Sequence, residues 1–420
     1  MKSLRNKAAG DAAPFIMSEK PGRQSLLLLP LIWVGSFLMT RSGRLKIDCS
    51  ALKDIKPPFL VLAEHQGFTD YFITPLALFP HRASYVSDIE GFAVYGKKLY
   101  GMLGCIPTRR FTADYSLVAN IRHVIEKNKD ILVIYPEARH SNVGTNSMLP
   151  DSVGKLVKLL KIPVVVLKTH GSYLTSPIWD ESHRRKVPLS AVFKQVLHTQ
   201  DIEALTADAI TERLNGHFKY DEYCWQNENR IRIDYPRRAE GLHRILYRCP
   251  CCETECAITS HEKYLECTAC GKSWEMDEYG RLSATAGETE YPHITDWYES
   301  QRRAVEQEIR SGKYFFEESV RVEALPNEKG FIEMGIGHLK HESSGFILDI
   351  PGEGKHLTFL SKTLSSVHTE YNYREKGDCL VLSTRDCCYY LYFESNKVNV
   401  TRLQFAAEYF YHSCRSDKRQ

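Results

Sequence analysis

The sequence predicts an α/β domain followed by two smaller β-rich units, the first held together by cysteines and the second closed by a helix. Three patterns carry this expectation. Apolar runs of strand length, Phe59-Leu60-Val61-Leu62-Ala63, Ile131-Leu132-Val133-Ile134 and Ile162-Pro163-Val164-Val165-Val166-Leu167, alternate with helical stretches such as Tyr115 to Lys127 and Ser152 to Leu160. That is the order of an α/β layer whose functional loops leave strand ends. Two Cys-x-x-Cys pairs stand at 249–252 and 267–270, and from Tyr314 onward the apolar period drops to two. With 420 residues, 43% of them hydrophobic, the chain can bury several cores, and about two to four domains are expected.

The chain opens with a basic and apolar segment. Residues 1–50 carry eight Lys or Arg against three Asp or Glu, and the run from Leu26 to Met39 is apolar between Lys20, Arg23 and Arg41. A spanning helix needs about twenty apolar residues. The shorter run, with Pro30 near its start and Trp33 inside it, is expected to lie in or dip into one leaflet of an anionic membrane. No small-residue cleavage site precedes Arg41, so a cleaved export signal is not expected. A formal net charge of +3 gives the whole chain no general attraction to nucleic acid.

The segment Glu64-His65-Gln66-Gly67-Phe68-Thr69-Asp70 follows directly on the first apolar run. A histidine leaving a buried strand can accept a proton near neutral pH, and a carboxylate one helical turn on can bond its other ring nitrogen and fix the tautomer. Gly67 is expected to turn the chain sharply and leave amides free to meet a developing oxyanion. Further on come Gly104-Cys105-Ile106-Pro107-Thr108-Arg109-Arg110, then Tyr135-Pro136-Glu137-Ala138-Arg139-His140-Ser141, then Lys161 to Leu167. Cys105 reads as a packed small apolar residue rather than a nucleophile.

In this order the four segments resemble the four blocks of the glycerolipid acyltransferases, the family that includes lysophosphatidate (1-acylglycerol-3-phosphate) acyltransferase. The resemblance covers residues 45–235. It implies an enzyme with His65 as general base, Asp70 as its carboxylate, Arg109 or Arg110 on the acceptor's phosphate, and Glu137 with Arg139 at the acceptor site. The third block departs from the family's Glu-Gly-x-Arg pattern, with Ala138 on the glycine and His140 where the arginine stands. Arg139 is the expected phosphate ligand, because a guanidinium suits phosphate better than a neutral imidazole. The implied chemistry is direct transfer from acyl-CoA or acyl-ACP to a lysolipid hydroxyl, without a covalent enzyme intermediate. Lys155 and Lys158 are candidates for the donor's phosphates, and Ser141 to Leu149 is expected to shape the entrance.

The two Cys-x-x-Cys knuckles are separated by fourteen residues, the spacing of a zinc ribbon. Cys249, Cys252, Cys267 and Cys270 are the expected ligands of a structural zinc, with Cys251, Cys256 and His261 as less regular substitutes. Glu and Arg or Lys are mixed across the ribbon, which makes a poor phosphate-tracking surface. No nucleic acid is expected, and a protein partner for the ribbon or the last domain stays open. Ala284 to Thr289 reads as linker. Thr295 is the expected N-cap of a helix reaching Ser311, with Arg302, Arg303, Glu306, Glu308 and Arg310 on a solvated face.

The C-terminal strands and final helix from Asn399 resemble, in element order alone, a pleckstrin-homology-like barrel. The expected architecture is therefore a membrane-associating segment (1–44), an acyltransferase domain (45–235), a zinc ribbon (245–283), a linker helix (290–312) and a pleckstrin-homology-like β domain (313–420). The expected function is acylation of a lysophospholipid or related glycerolipid at the cytoplasmic side of the cell membrane, with membrane lipids and the acyl donor as partners. The alternatives are a non-catalytic lipid-binding scaffold and a regulator acting through the ribbon on nucleic acid or protein.

Overall fold

The computed structural model describes residues 13–180, 184–395 and 397–416, so Lys2, Arg5 and Lys7 of the basic flank lie outside the described residues. The first sheet contains β1 (Lys46–Asp48), β2 (Leu60–Ala63), β3 (Ala83–Asp88), β4 (Cys105–Thr108), β5 (Ile131–Ile134), β6 (Val164–His170) and β7 (Ser190–Leu197). Its order is β1-β7-β6-β2-β5-β3-β4. The five strands from β6 to β4 run parallel, and β7, with β1 parallel to it, is added antiparallel at the β6 edge.

Among the described residues, ten α-helices accompany this sheet. They are α1 (Leu29–Thr40), α2 (Asp70–Leu78), α3 (Ile89–Tyr95), α4 (Lys97–Met102) and α5 (Tyr115–His123). Then come α6 (Ser152–Leu160), α7 (Ser172–Thr175), α8 (Thr199–Ala204), α9 (Ala207–Phe218) and α10 (Glu222–Glu228). Leu60 and Leu62 face one core, while Val61 and Ala63 face another. A strand buried on both faces reads as an unbroken apolar run, which is why β2 shows no alternation. Helix α5 stops short of Lys127, where a wider turn covers Val124–Asn128.

The ribbon is a four-stranded antiparallel sheet of β8 (Ile258–His261), β9 (Tyr264–Cys267), β10 (Ser273–Met276) and β11 (Leu282–Ala284). Helix α11 (Ile294–Arg310) follows it, and its N-cap is His293 rather than Thr295, whose hydroxyl donates to Asp221. Trp297 of α11 packs on Trp274 of β10 with ring centroids 5.0 Å apart, and its indole N–H donates to the Arg248 carbonyl.

The last sheet holds β12 (Phe316–Leu325), β13 (Ile332–Glu342), β14 (Gly345–Ile350), β15 (Lys355–Leu360), β16 (His368–Glu370), β17 (Cys379–Ser383) and β18 (Cys388–Phe393). All pairs are antiparallel, in the order β15-β14-β13-β12-β18-β17-β16. The expected barrel is not closed. Among the described residues β15 and β16 remain the two edges, and the sheet is a half-barrel whose core is completed by α12 (Val400–Ser416) through Val400, Leu403, Ala406 and Phe410. Ribbon, α11, half-barrel and the α10 region share one continuous apolar core.

Candidate active site

The parallel strands end on one side, and their carboxyl ends deliver the site, as open α/β sheets commonly do. β2 feeds the His65 loop, β3 ends at Asp88, β4 leads into Arg109 and Arg110, and β5 leads into Glu137 to His140. Here Ala138 holds φ at 56°, the left-handed conformation that favours the glycine of the family pattern. These segments line a cavity of 3010 Å³.

His65 is buried, and burial, with the positive Arg110 and the neighbouring His368, lowers its pKa to about 3. Its ring lies 4.1 Å from that of His140 and 4.6 Å from that of Tyr135, centroid to centroid. Its Nε2 lies 3.1 Å from the Tyr71 hydroxyl. His140 is likewise held neutral, by burial and by His65 itself. His65 Nδ1 is 3.8 Å from Asp70 Oδ2, beyond hydrogen-bond reach. The Asp70 carboxylate instead accepts the Gln66 N–H at 2.6 Å, the Gly67 N–H at 2.9 Å and the Thr169 hydroxyl at 3.2 Å. It therefore fixes the loop that carries His65. The two amides expected to meet an oxyanion are thereby spent. Glycine at 67 has a different necessity, since a Cβ there would lie 2.9 Å from the Ser172 carbonyl oxygen.

Glu137 braces the site. Its carboxylate accepts the His65 N–H at 3.2 Å, the Asn146 side-chain N–H at 3.2 Å and the Ser147 N–H at 2.8 Å, and burial pushes its pKa up to about 7. The Ser141 N–H also donates to the His65 carbonyl at 3.0 Å. The 141–149 loop is thus stitched to the base.

The three expected phosphate ligands are each engaged by the C-terminal half. Arg109 is buried and donates to the carbonyls of Arg385 at 2.6 Å and of Pro326 and Asp386 at 3.0 Å. Arg110 lies 3.5 Å from Asp88 and 3.9 Å from Glu370 on β16. Burial opposes its charge, but Asp88, Glu90 and Glu370 outweigh burial and hold it protonated. Arg139 donates to Ser147 at 2.8 Å and pairs with Glu408 on α12 at 2.9 Å. Glu408 also pairs with Arg302 of α11 at 2.5 Å. Burial would raise the Glu408 pKa, yet Arg139 and Arg302 hold it at about 2.

Arg302 was expected on a solvated face. Helix α12 covers only part of it: Arg302 stacks 4.4 Å over Phe405 and Glu308 pairs with Arg402 at 2.7 Å, while Arg303 and Arg310 stay exposed. Lys158 is spent on the carbonyls of Ile202, Glu203 and Leu205. Lys155 is exposed on the cavity wall. Tyr71, Glu370, Arg302 and Glu408 are site residues the sequence reading missed. Tyr71, one residue past Asp70, was within reach of local spacing.

In the ribbon, Cys249 and Cys270 sulfurs stand 3.8 Å apart, and those of Cys252 and Cys267 3.7 Å. These exceed any disulfide and match the edge, about 3.8 Å, of a tetrahedron with metal–sulfur bonds of about 2.3 Å. The four residues fit a zinc ion. Cys251, Cys256 and His261 lie outside this cluster.

The acyltransferase family model matches residues 46–168. Among solved structures, the chain is similar to the 1-acyl-sn-glycerophosphate (LPA) acyltransferase PlsC from Thermotoga maritima at 14% identity and a TM-score of 0.31, covering 44% of this chain and 90% of that one. No curated protein gives a significant match. The family match brackets the His65 loop, both arginines and the Glu137 block, and residues 46–168 are thereby a domain of the acyltransferase family.

Proposed function

We propose that this protein transfers a fatty acyl group from acyl-CoA or acyl-ACP to a hydroxyl of a lysophospholipid or related glycerolipid. The observation that carries the reading is the buried, neutral His65, with Asp70 behind it, on the wall of a cavity large enough for lipid. The acceptor hydroxyl takes the place of the Tyr71 hydroxyl at Nε2. Its oxygen bonds to the thioester carbon, its proton passes to His65, the carbon–sulfur bond breaks, and the imidazolium returns the proton to the leaving thiolate. Asp70 stabilises that imidazolium once the 3.8 Å gap closes, as catalytic contacts commonly do on substrate binding.

Membrane association is part of the proposal. Among the described residues no helix is long and apolar enough to cross a membrane. Helix α1 exposes Leu31, Val34, Phe37 and Leu38, with Phe79 beside them, and its Ile32, Gly35 and Ser36 line the cavity. A helix lying in one leaflet, on the cytoplasmic side, delivers lipid straight to that cavity. The four ribbon cysteines hold a structural zinc, and with four sulfur ligands no position is left for substrate. The half-barrel and its terminal helix roof the cavity.

The test is radiolabelled acyl transfer from both donors by wild type and His65→Ala. Removal of a general base lowers the rate by about 10²–10⁴-fold. Wild-type transfer that survives in His65→Ala sinks the assignment of the base. No transfer by folded, liposome-bound wild type points to the lipid-holding scaffold.

A further inference from the structure

The charge an acceptor can bring to His65 is set by what already surrounds it. Arg109 is consumed by three backbone carbonyls. Arg139 has its charge answered by Glu408 and its Nη2 taken by Glu408 and Ser147, with Nη1 left unpartnered. The position where the family pattern has its arginine is His140, a neutral ring 4.1 Å from the base. Arg110 is the guanidinium whose charge acts on His65, and it stands against Asp88 and Glu370. Glu90 adds a third carboxyl, which takes hydrogen bonds from the hydroxyls of Tyr373 and Tyr390. Glu370 is in turn bonded to His368 Nε2 at 2.6 Å.

We propose that the acceptor carries no phosphomonoester beside its reacting hydroxyl and is a neutral or zwitterionic glycerolipid. This deepens the acyl-transfer reading and rests on it. Around Arg110 the carboxyls of Asp88 and Glu370 face one guanidinium, so its charge is already answered and a phosphate dianion finds no spare cation there. An uncharged glycerol hydroxyl meets Tyr71, Tyr135 and His140, all neutral. An ammonium headgroup meets Asp88 and Glu370. Glu370 belongs to β16, which makes the half-barrel a determinant of acceptor class rather than a remote appendage.

The experiment uses the full chain with radiolabelled acyl-CoA and three acceptors in the same neutral vesicles: a monoacylglycerol, lysophosphatidylethanolamine and lysophosphatidate. Equilibrium binding of the same three lipids is measured without donor. The expected result is a kcat/KM for lysophosphatidate at least about tenfold below the better of the other two. Glu370→Gln and His140→Arg are expected to narrow that gap, the first by removing a carboxylate and the second by restoring a guanidinium. A wild-type preference for lysophosphatidate, in transfer or in binding, overturns the inference. Absence of transfer to all three counts against the acyl-transfer reading, and the binding order then decides the headgroup inference by itself.

Discussion

The two ends of the cavity are built on different principles. The base end is mainly local: His65, Gln66, Gly67, Asp70 and Tyr71 fall within seven residues and bond one another, with Glu137, Ser141 and Thr169 bracing them from elsewhere in the domain. The roof is assembled across the chain, with Arg109 meeting Asp386, Arg110 meeting Glu370, and Arg139 meeting Glu408. The contrast teaches that a motif residue can keep its place while its partner changes. The arginines follow the ends of β4 and β5, and protein carboxylates and carbonyls take most of their N–H groups, leaving Arg109 Nε and Arg139 Nη1 buried without a partner.

The largest expected effect separates the ends by removing the support of the roof. In the proposed zinc site the four ribbon cysteines tie β8 to β11 together, and that sheet is the seat of Trp297 and hence of α11. Structural zinc contributes roughly 10–16 kcal/mol of folding free energy in isolated ribbon-sized peptides. Chelation, or Cys267→Ala, should therefore melt the ribbon and free α11 and α12. The parallel sheet, with its own two cores, should stay folded. Hydrogen exchange read segment by segment checks this: protection lost equally in β2 and in β18 means that the two ends are one cooperative unit.

A smaller effect tests the clamp itself. Glu408→Ala leaves Arg139, 7% exposed, and Arg302 without their shared counterion, and breaking a buried pair costs about 3–5 kcal/mol. Arg122 and Glu126, both about half exposed, form the control, where loss of a surface pair costs about 0.3–0.5 kcal/mol. Urea unfolding of Glu408→Ala and Arg122→Ala ranks them. Equal midpoints show that Glu408 adds nothing to the docking of the roof.

What could be read from the sequence follows the same divide. The apolar runs at Leu60 to Ala63 and Val164 to Leu167 mark buried strands because both faces of that sheet are covered. The His65 loop is legible in part because Gln66, Gly67, Asp70 and Tyr71 lie within reach along the chain, whereas its partners Glu137, Ser141 and Thr169 do not. The cysteine spacing brings four sulfurs together as the knuckle geometry requires. Closure of the last sheet is not legible, because pairing β15 with β16 depends on how strands curve, and α12 supplies the missing core wall instead. Arg302 looks solvated for a similar reason. Its partner is 106 residues away, and nothing in the charge pattern of α11 announces it.

Acidification gives the smallest separation, and the pH window in which stability is lost differs between the ends. Glu408 has a folded pKa of about 2, below the ordinary 4.5, so its stabilisation is intact above about pH 4.5 and is lost as pH falls toward 2. His65 has a folded pKa of about 3, below the ordinary 6.5. The unfolded chain takes up its proton first, so His65 costs stability progressively as pH drops from 6.5 toward 3. Between pH 7 and about pH 5 the His65 share of stability should fall by about 2 kcal/mol while that of the clamp does not, and Glu137, its pKa raised to about 7, opposes the loss because its folded form takes up a proton first. Urea unfolding of wild type and His65→Ala at the two pH values isolates that share, because the variant lacks the proton site. A pH dependence identical in both proteins means that His65 reaches solvent in the folded state. The imidazole is then free to charge near neutrality, and Asp70 holds an ion pair rather than a neutral base before substrate arrives.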